Sequence, residues 1–90
     1  MPAYVLSMRS RARRALRQLD PTARQAIVAA IDALMANPRP SGAAPIKGHR
    51  PYLRVRVGDY RVIYAVDETA CSVRIAVIGH RREVYRNFDL

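Results

Sequence analysis

Two short strand-like runs joined by Gly58-Asp59 constrain the fold of this chain more than any other feature. Residues 53–57 alternate strictly between apolar side chains and arginine, and residues 60–64 continue with a period of two. This period is typical of a β-strand with one buried face. A two-residue connection that begins with glycine indicates a hairpin with a type I′ or II′ turn. The sequence therefore predicts an antiparallel hairpin in which Val57 pairs with Tyr60.

This register places three arginines on the face opposite the buried one. Arg56 lies directly across from Arg61, and Arg54 lies on the same face. Like charges opposite each other destabilise a hairpin, and no carboxylate lies on this face of either strand. A bound anion would relieve the repulsion. Two alternatives stay open: the side chains extend into water, or Asp and Glu from elsewhere in the chain reach them.

Two amphipathic helices are predicted before the hairpin. Ser7 or Ser10 is the expected cap of the first, and Asp20-Pro21 begins the second with Asp as N-cap and proline at the first position. Asn37-Pro38 ends the second helix. The apolar residues expected on their buried stripes are Met8, Ala12, Ala15, Leu16, Leu19, Ile27, Ala30, Ile31, Leu34 and Met35.

Strands are also predicted over residues 4–6 and 73–78, on either side of these elements. The resulting order is β-α-α-β-β-β, which belongs to the α+β class. We expect a helical hairpin on one face of a mainly antiparallel four-stranded sheet. Ninety residues are the size of one domain, so residues 1–90 are predicted to form a single unit.

The charge balance points to a polyanionic partner. Sixteen Lys and Arg face seven Asp and Glu, a formal charge of +9, and every cation except Lys47 is arginine. The arginine bias of a GC-rich genome is the alternative explanation. Cys71 is the only cysteine and there are two histidines, so neither a disulfide framework nor a metal site is expected. With no apolar signal or membrane-spanning run, we expect a cytoplasmic protein without membrane contact.

Residues 52–64 and 78–85 resemble the hairpin and the closing motif of the RelE/ParE toxin superfamily, and of its RelE branch in particular. Leu19-Asp20, Asn37-Pro38 and residues 46–48 also fall where that family has them. The resemblance implies the fold predicted above and a toxin that enters the ribosomal A site and cleaves the messenger RNA there. It implies an acidic RelB-like antitoxin, the 70S ribosome with its mRNA as target, and operator DNA as a further partner of the toxin–antitoxin complex.

The same resemblance implies which residues act. The family's catalytic positions correspond to Arg54, Arg56, Arg61, Arg81 and Tyr85, and we expect Lys47, His80 and Arg82 to contact substrate. The implied chemistry uses no metal or other cofactor: the 2′-OH attacks the phosphodiester while arginines stabilise charge. Arg81 would sit near the leaving oxygen, and Tyr85 would stack on the nucleotide. From residues alone, two interpretations of Tyr85 stay open: an apolar anchor for the tail, or a stacking surface for a base. An isolated histidine such as His80 is more often a surface or packing residue.

One departure from the family leaves the general base unassigned. Some RelE enzymes carry lysines where this chain has Arg54 and Arg56, and a guanidinium does not lose its proton. Lys47, His49, His80 and Tyr85 are the candidates that remain. Two other functions stay open: a ParE-type toxin that poisons DNA gyrase without cutting, and an inactive basic module that binds nucleic acid.

Overall fold

Two helices and five strands make up the part of the chain that the computed structural model describes, residues 3–81 and residue 84. The α+β class and the predicted order of the main elements are confirmed. The elements are β1 (Val5–Met8), α1 (Ser10–Gln18), α2 (Pro21–Ala36), β2 (Ala44–Pro45), β3 (Leu53–Val57), β4 (Tyr60–Asp67) and β5 (Ser72–His80).

The strands form one mixed sheet in the order β1-β5-β4-β3-β2. β1 runs parallel to β5, and the other neighbouring strands are antiparallel. The predicted count of four strands is one too few, because Ala44 and Pro45 pair with Arg54 and Leu53 as a short edge strand. Two residues are too few to show a period, and proline is tolerated at a sheet edge because its missing N–H is not needed there.

The predicted hairpin register is confirmed. Val57 pairs with Tyr60, Arg56 with Arg61 and Val55 with Val62. Gly58 has a φ of +59°, whereas no positive φ is found at Asp59. A positive φ at the first turn position alone is the pattern of a type II′ turn, which matches the twist of the flanking strands.

The core lies between the two helices and one face of the sheet. The predicted helical stripes are confirmed, since Ala12, Ile27, Ile31 and Leu34 are buried and most other stripe residues pack against them. The alternation of the hairpin is confirmed as well. The sheet contributes Val55, Val62, Tyr64, Val73, Ile75 and Ile78 to the same cluster.

The boundaries of the second helix are as predicted, but the predicted cap of the first is wrong. α2 begins after Asp20, with Pro21 at its first position, and Asn37 follows its last residue. Neither serine caps α1: Ser7 lies in β1, and the N-cap position is Arg9, whose side chain caps nothing. The Arg9 N–H donates instead to the Ile75 carbonyl at 2.9 Å. Strand pairing thus sets where α1 begins.

Two tyrosine hydroxyls connect distant segments. Tyr64 is fully buried and donates to the Pro38 carbonyl at 2.7 Å, and burial raises the pKa of this tyrosine. Tyr4 donates to Glu68 Oε1 at 2.5 Å, and Arg39 forms an ion pair with Oε2 of the same carboxylate. Neither helix described here is long and apolar enough to cross a membrane.

Candidate nucleic-acid interface

Four arginines lie on the face of the sheet that the helices do not cover. Strand alternation and register place Arg54 and Arg56 on β3, Arg61 on β4 and Arg74 on β5, and we call this set the arginine face. Arg56 and Arg74 are exposed, and the other two are half-buried. Within residues 3–81 and 84 the one ion pair joins Arg39 to Glu68, so no described carboxylate neutralises the arginine face.

Two arginines of this face are paired across the hairpin. Arg56 and Arg61 are directly opposite each other, which is unfavourable without an anion. The Arg61 guanidinium folds back over the turn, where Nη1 donates to the Tyr60 carbonyl at 3.0 Å and approaches the Gly58 carbonyl at 3.4 Å. These carbonyls hold the guanidinium in place, and its other N–H groups point to no described acceptor.

Arg81 begins at the same end of the sheet. β5 ends at His80, and the Arg81 N–H then donates to the Asp59 carbonyl in the hairpin turn at 2.7 Å. Arg61 pairs with Gly79 in the neighbouring register position. The turn that positions Arg61 therefore also fixes the backbone of Arg81. Three of the predicted site residues, Arg56, Arg61 and Arg81, are gathered at this end.

Val84 lies against Gly79, on the side of the sheet that carries the arginine face. Val84 is only 4% exposed, and its N–H donates to the His80 carbonyl at 2.9 Å. A Cβ built on Gly79, which lies opposite Arg61, would be 3.5 Å from the Val84 side chain. Val84 thus adds a buried apolar side chain next to Gly79, the residue that pairs with Arg61. Two other predicted site residues, Arg82 and Tyr85, lie outside the described residues.

Two predicted substrate contacts do not meet Arg61 on this face. Lys47 lies in the loop before β3, at the end of that strand remote from Arg56 and the hairpin turn. His80 pairs with Tyr60, and their rings meet edge to face with centroids 5.8 Å apart. Because Tyr60 packs towards the core, the His80 ring lies on the other side of the sheet from Arg61. The assignment of Lys47 and His80 to substrate binding stays a prediction.

Arg74 is a member of the arginine face that sequence reasoning missed. Ile63 pairs with Val77, but Tyr64 pairs with Ile75, so Ala76 is an extra residue in β5. This β-bulge shifts the alternation by one and brings Arg74 to the same face as Gly79 and Arg61. The sequence shows an arginine between Val73 and Ile75, but it does not show on which face of the sheet that arginine lies.

The arrangement suits an anion such as phosphate. Guanidinium groups donate planar, paired hydrogen bonds to phosphate oxygens and keep their charge at any physiological pH. Among residues 3–81 and 84, no group of three His, Cys, Asp or Glu side chains is placed to hold a metal ion. The described face therefore supplies positive charge and hydrogen-bond donors, but no evident proton acceptor.

Comparison with protein families gives a match over most of the chain. The model of the ParE toxin of the type II toxin–antitoxin system, parDE, matches residues 6–85. No curated protein matches this sequence.

Solved structures of RelE toxins, some of them in toxin–antitoxin complexes, have the same fold. The archaeal RelE–RelB complex from Pyrococcus horikoshii OT3 matches with a TM-score of 0.77 at 25% identity, covering 88% of this chain and 96% of that one. The RelBE2 complex from Mycobacterium tuberculosis matches with a TM-score of 0.62 at 26% identity, covering 90% and 94%. The intact RelBE complex from E. coli gives 0.78 at 22% identity, covering 87% and 96%; at that identity the likeness concerns the fold alone.

Proposed function

Because this chain belongs to the ParE toxin family, within the RelE/ParE superfamily of type II toxin–antitoxin toxins, we propose that it is a ribosome-dependent endoribonuclease. Its target would be messenger RNA in the ribosomal A site. The likeness to RelE structures supports this branch of the superfamily. The observation that carries the proposal is the Arg56–Arg61 pair beside the anchored backbone of Arg81.

The proposed reaction transfers the phosphodiester from the 5′-oxygen of the next nucleotide to the neighbouring 2′-oxygen. The 2′-hydroxyl gives up its proton, the new P–O bond forms, and the 5′-oxygen leaves and takes up a proton. The phosphate gains negative charge in the transition state. Arg56 and Arg61 face the same space and stabilise that charge, and a preorganised donor of this kind is worth about 10²–10³ in rate. Arg81 is proposed to act at the leaving oxygen.

The proton acceptor is not one of the arginines, because a guanidinium group does not give up its proton in proteins. The placement of Lys47 and of the His80 ring, both away from Arg61, argues against these two candidates. The ribosome supplies part of the geometry in this proposal, since holding the message in the reactive conformation accelerates an intramolecular attack. Weak cleavage of free RNA is the expected consequence.

Purified toxin in a reconstituted translation reaction tests the proposal, with new 5′ ends mapped on the message. We expect ribosome-dependent cuts inside A-site codons, lowered about 10²–10³-fold by Arg61→Ala and by Arg81→Ala. Arg50→Ala is the matched control, because Arg50 is exposed in the loop before β3, at the end of that strand remote from the hairpin turn. Intact message with the wild-type toxin, with or without ribosomes, would overturn the nuclease.

Poisoning of DNA gyrase is the second candidate, and the match to the ParE toxin model favours it. It needs binding but no chemistry at Arg61 or Arg81. A supercoiling assay with the same purified toxin separates the two candidates. Inhibition of gyrase by the wild type and equally by Arg61→Ala, together with intact message, would assign the chain to this second function.

An acidic RelB-like antitoxin is the proposed partner, and the similar structures of RelE–RelB complexes support it. A groove of about 590 Å³ between α2 and the β2–β3 edge offers one place for such a segment. Its floor is apolar, with Leu34 and Val55, and Arg54 and Arg56 stand at its rim. An antitoxin segment seated there would cover part of the arginine face. Binding of the toxin–antitoxin complex to operator DNA stays a prediction.

A further inference from the structure

Two aromatic rings lie beneath the end of the sheet that carries Arg61 and Arg81, on the side opposite the arginine face. Tyr60 is the first residue of β4 and His80 is the last residue of β5, and the two are directly paired. Their rings meet edge to face with centroids 5.8 Å apart, an orientation that aromatic rings favour. We call Tyr60 and His80 the aromatic pair.

The aromatic pair occupies a step of the ladder that backbone hydrogen bonds do not close. In an antiparallel ladder, directly opposite residues alternate between pairs that exchange backbone hydrogen bonds and pairs that do not. The Arg81 N–H donates to the Asp59 carbonyl at 2.7 Å, so the neighbouring step of Tyr60 and His80 is of the second kind. Side chains lie closest together at such steps. The two rings are therefore well placed to hold β4 and β5 together here.

The hairpin turn is loosely packed against α2. A depression of about 260 Å³ lies between them, lined by Thr22 and Ala26 on the helix and by Gly58 and Asp59 in the turn. Tyr60 borders this depression and contacts His80 in the neighbouring strand. The Tyr60 ring thus connects the turn to β5 across a part of the molecule where the helix leaves space.

Each residue of the aromatic pair precedes an arginine of the proposed site. The Tyr60 carbonyl accepts a hydrogen bond from Arg61 Nη1 at 3.0 Å, so a shift of the Tyr60 backbone moves that guanidinium. Arg81 follows His80, and its N–H is held by the hairpin turn. Strand alternation puts both rings on the core side of the sheet, opposite Arg61. The pair can therefore act on the arginines without touching the RNA.

We propose that Tyr60 and His80 are positioning residues of the nuclease, which fix the distance between Arg61 and Arg81 through the backbones of β4 and β5. The role rests on the proposed function, because that reaction needs one arginine at the phosphate and the other at the leaving oxygen. His80 then acts indirectly, instead of contacting the substrate as the sequence predicted. A displacement of about 1 Å in a catalytic group can lower a rate about 10²-fold, so a small shift of either strand is enough to matter.

Hydrogen exchange in the free toxin tests the positioning without any need for cleavage. His80→Leu removes the ring but keeps an apolar side chain, whereas His80→Phe keeps an aromatic ring. The Arg81 amide, which donates to Asp59, should exchange about twofold to tenfold faster in His80→Leu, as expected for the loss of one aromatic pair. It should keep nearly the wild-type rate in His80→Phe. Amides at the other end of β5, near Ser72, should change less; a general loss of stability would instead quicken exchange along the whole strand.

Cleavage on ribosomes then separates positioning from direct contact. In His80→Leu and in Tyr60→Leu, the maximal rate should fall about tenfold or more, while the ribosome concentration for half-maximal cleavage stays near the wild-type value. His80→Phe should retain most of the rate, because a ring at this position is sufficient. The double variant Tyr60→Leu/His80→Leu should be little slower than either single variant, because both act through one contact. Tyr52→Leu is the matched control, since this half-buried ring lies in the loop before β3.

Several results would overturn the positioning role. If His80→Phe loses as much activity as His80→Leu, His80 contacts the substrate or carries a proton instead. A Tyr60→Leu variant with the wild-type maximal rate, or additive losses in the double variant, would also contradict it. Unchanged exchange of the Arg81 amide in His80→Leu would remove its structural basis even if the toxin cleaves message. If the wild type cleaves no message, the nuclease fails and the role in cleavage fails with it, whereas the exchange measurement still decides whether the rings hold the backbone of Arg81.

Discussion

Tyr64 shows how a single side chain combines a predictable and an unpredictable contribution. Its place in the alternation of β4 predicts a buried ring, and the ring is fully buried. Its hydroxyl partner, the carbonyl of Pro38, could not be predicted, because the contact depends on where the end of α2 packs against the sheet. The pattern identifies the face of a side chain, whereas the hydrogen bond needs the tertiary structure.

Removing this hydroxyl should lower the free energy of unfolding. Tyr64→Phe leaves the Pro38 carbonyl without its described donor in a buried site, a cost of about 1–3 kcal/mol. Tyr52→Phe is the control, because that ring is half-buried and its hydroxyl makes no described hydrogen bond. Chemical denaturation measures both, and an equal loss in the two variants would contradict the importance of the Tyr64–Pro38 contact.

The residues of the candidate site likewise fall into those whose position the sequence predicts and those whose position it does not. Arg56 and Arg61 could be paired from sequence because a two-residue turn fixes their register. Arg74 could not, because the extra residue Ala76 shifts the alternation of β5. His80 was selected from its position in a motif, and its ring proves to lie with Tyr60 on the core side of the sheet.

Among the elements, the β3–β4 hairpin is the one that local sequence determines most completely. The alternation of apolar residues and the turn that begins with glycine are enough to predict its register, because its two strands follow each other in the chain. β2 escaped prediction because two residues carry no period, and the extension of β1 to Met8 depends on pairing with the distant β5. Predictability decreases as the pairing partners become more distant in sequence.

The hairpin turn should be sensitive to a side chain at Gly58. No atom would clash with an added Cβ, so the cost of Gly58→Ala comes from its positive φ, about 1–2 kcal/mol. Gly42→Ala is the matched control, since that position is equally open and has no positive φ. Thermal unfolding compares the two. A Gly58→Ala variant as stable as the Gly42→Ala variant would show that the turn tolerates a side chain.

At the scale of the whole molecule, Glu68 ties three segments together. It lies after β4, accepts a hydrogen bond from Tyr4 before β1, and pairs with Arg39 after α2. The Tyr4 hydroxyl and then the Arg39 guanidinium hold the pKa of Glu68 below its ordinary value. A carboxyl with a lowered folded-state pKa stabilises the fold above its unfolded pKa, and that contribution is lost as the pH falls through the folded one.

The stability difference between wild type and Glu68→Gln should therefore depend on pH. We expect it to be constant near neutrality and to shrink below the ordinary glutamate pKa of about 4.3. Asp32→Asn is the control, because this exposed carboxylate on α2 takes part in no described ion pair. Denaturation curves between about pH 7 and pH 3 measure it. A difference for Glu68→Gln that does not change with pH would contradict the described contacts.

The parallel pairing of β1 with β5 has a consequence for biosynthesis. β1 is translated before the other elements described here, and it finds its neighbour only when β5 has been made. Contacts between residues far apart in sequence raise the contact order, and they form late. Arg74 and Arg81 join Arg56 and Arg61 only at that point. A nascent chain consequently lacks the complete basic surface until β5 has been synthesised, and in the proposed function it cannot attack the ribosome that makes it before that point.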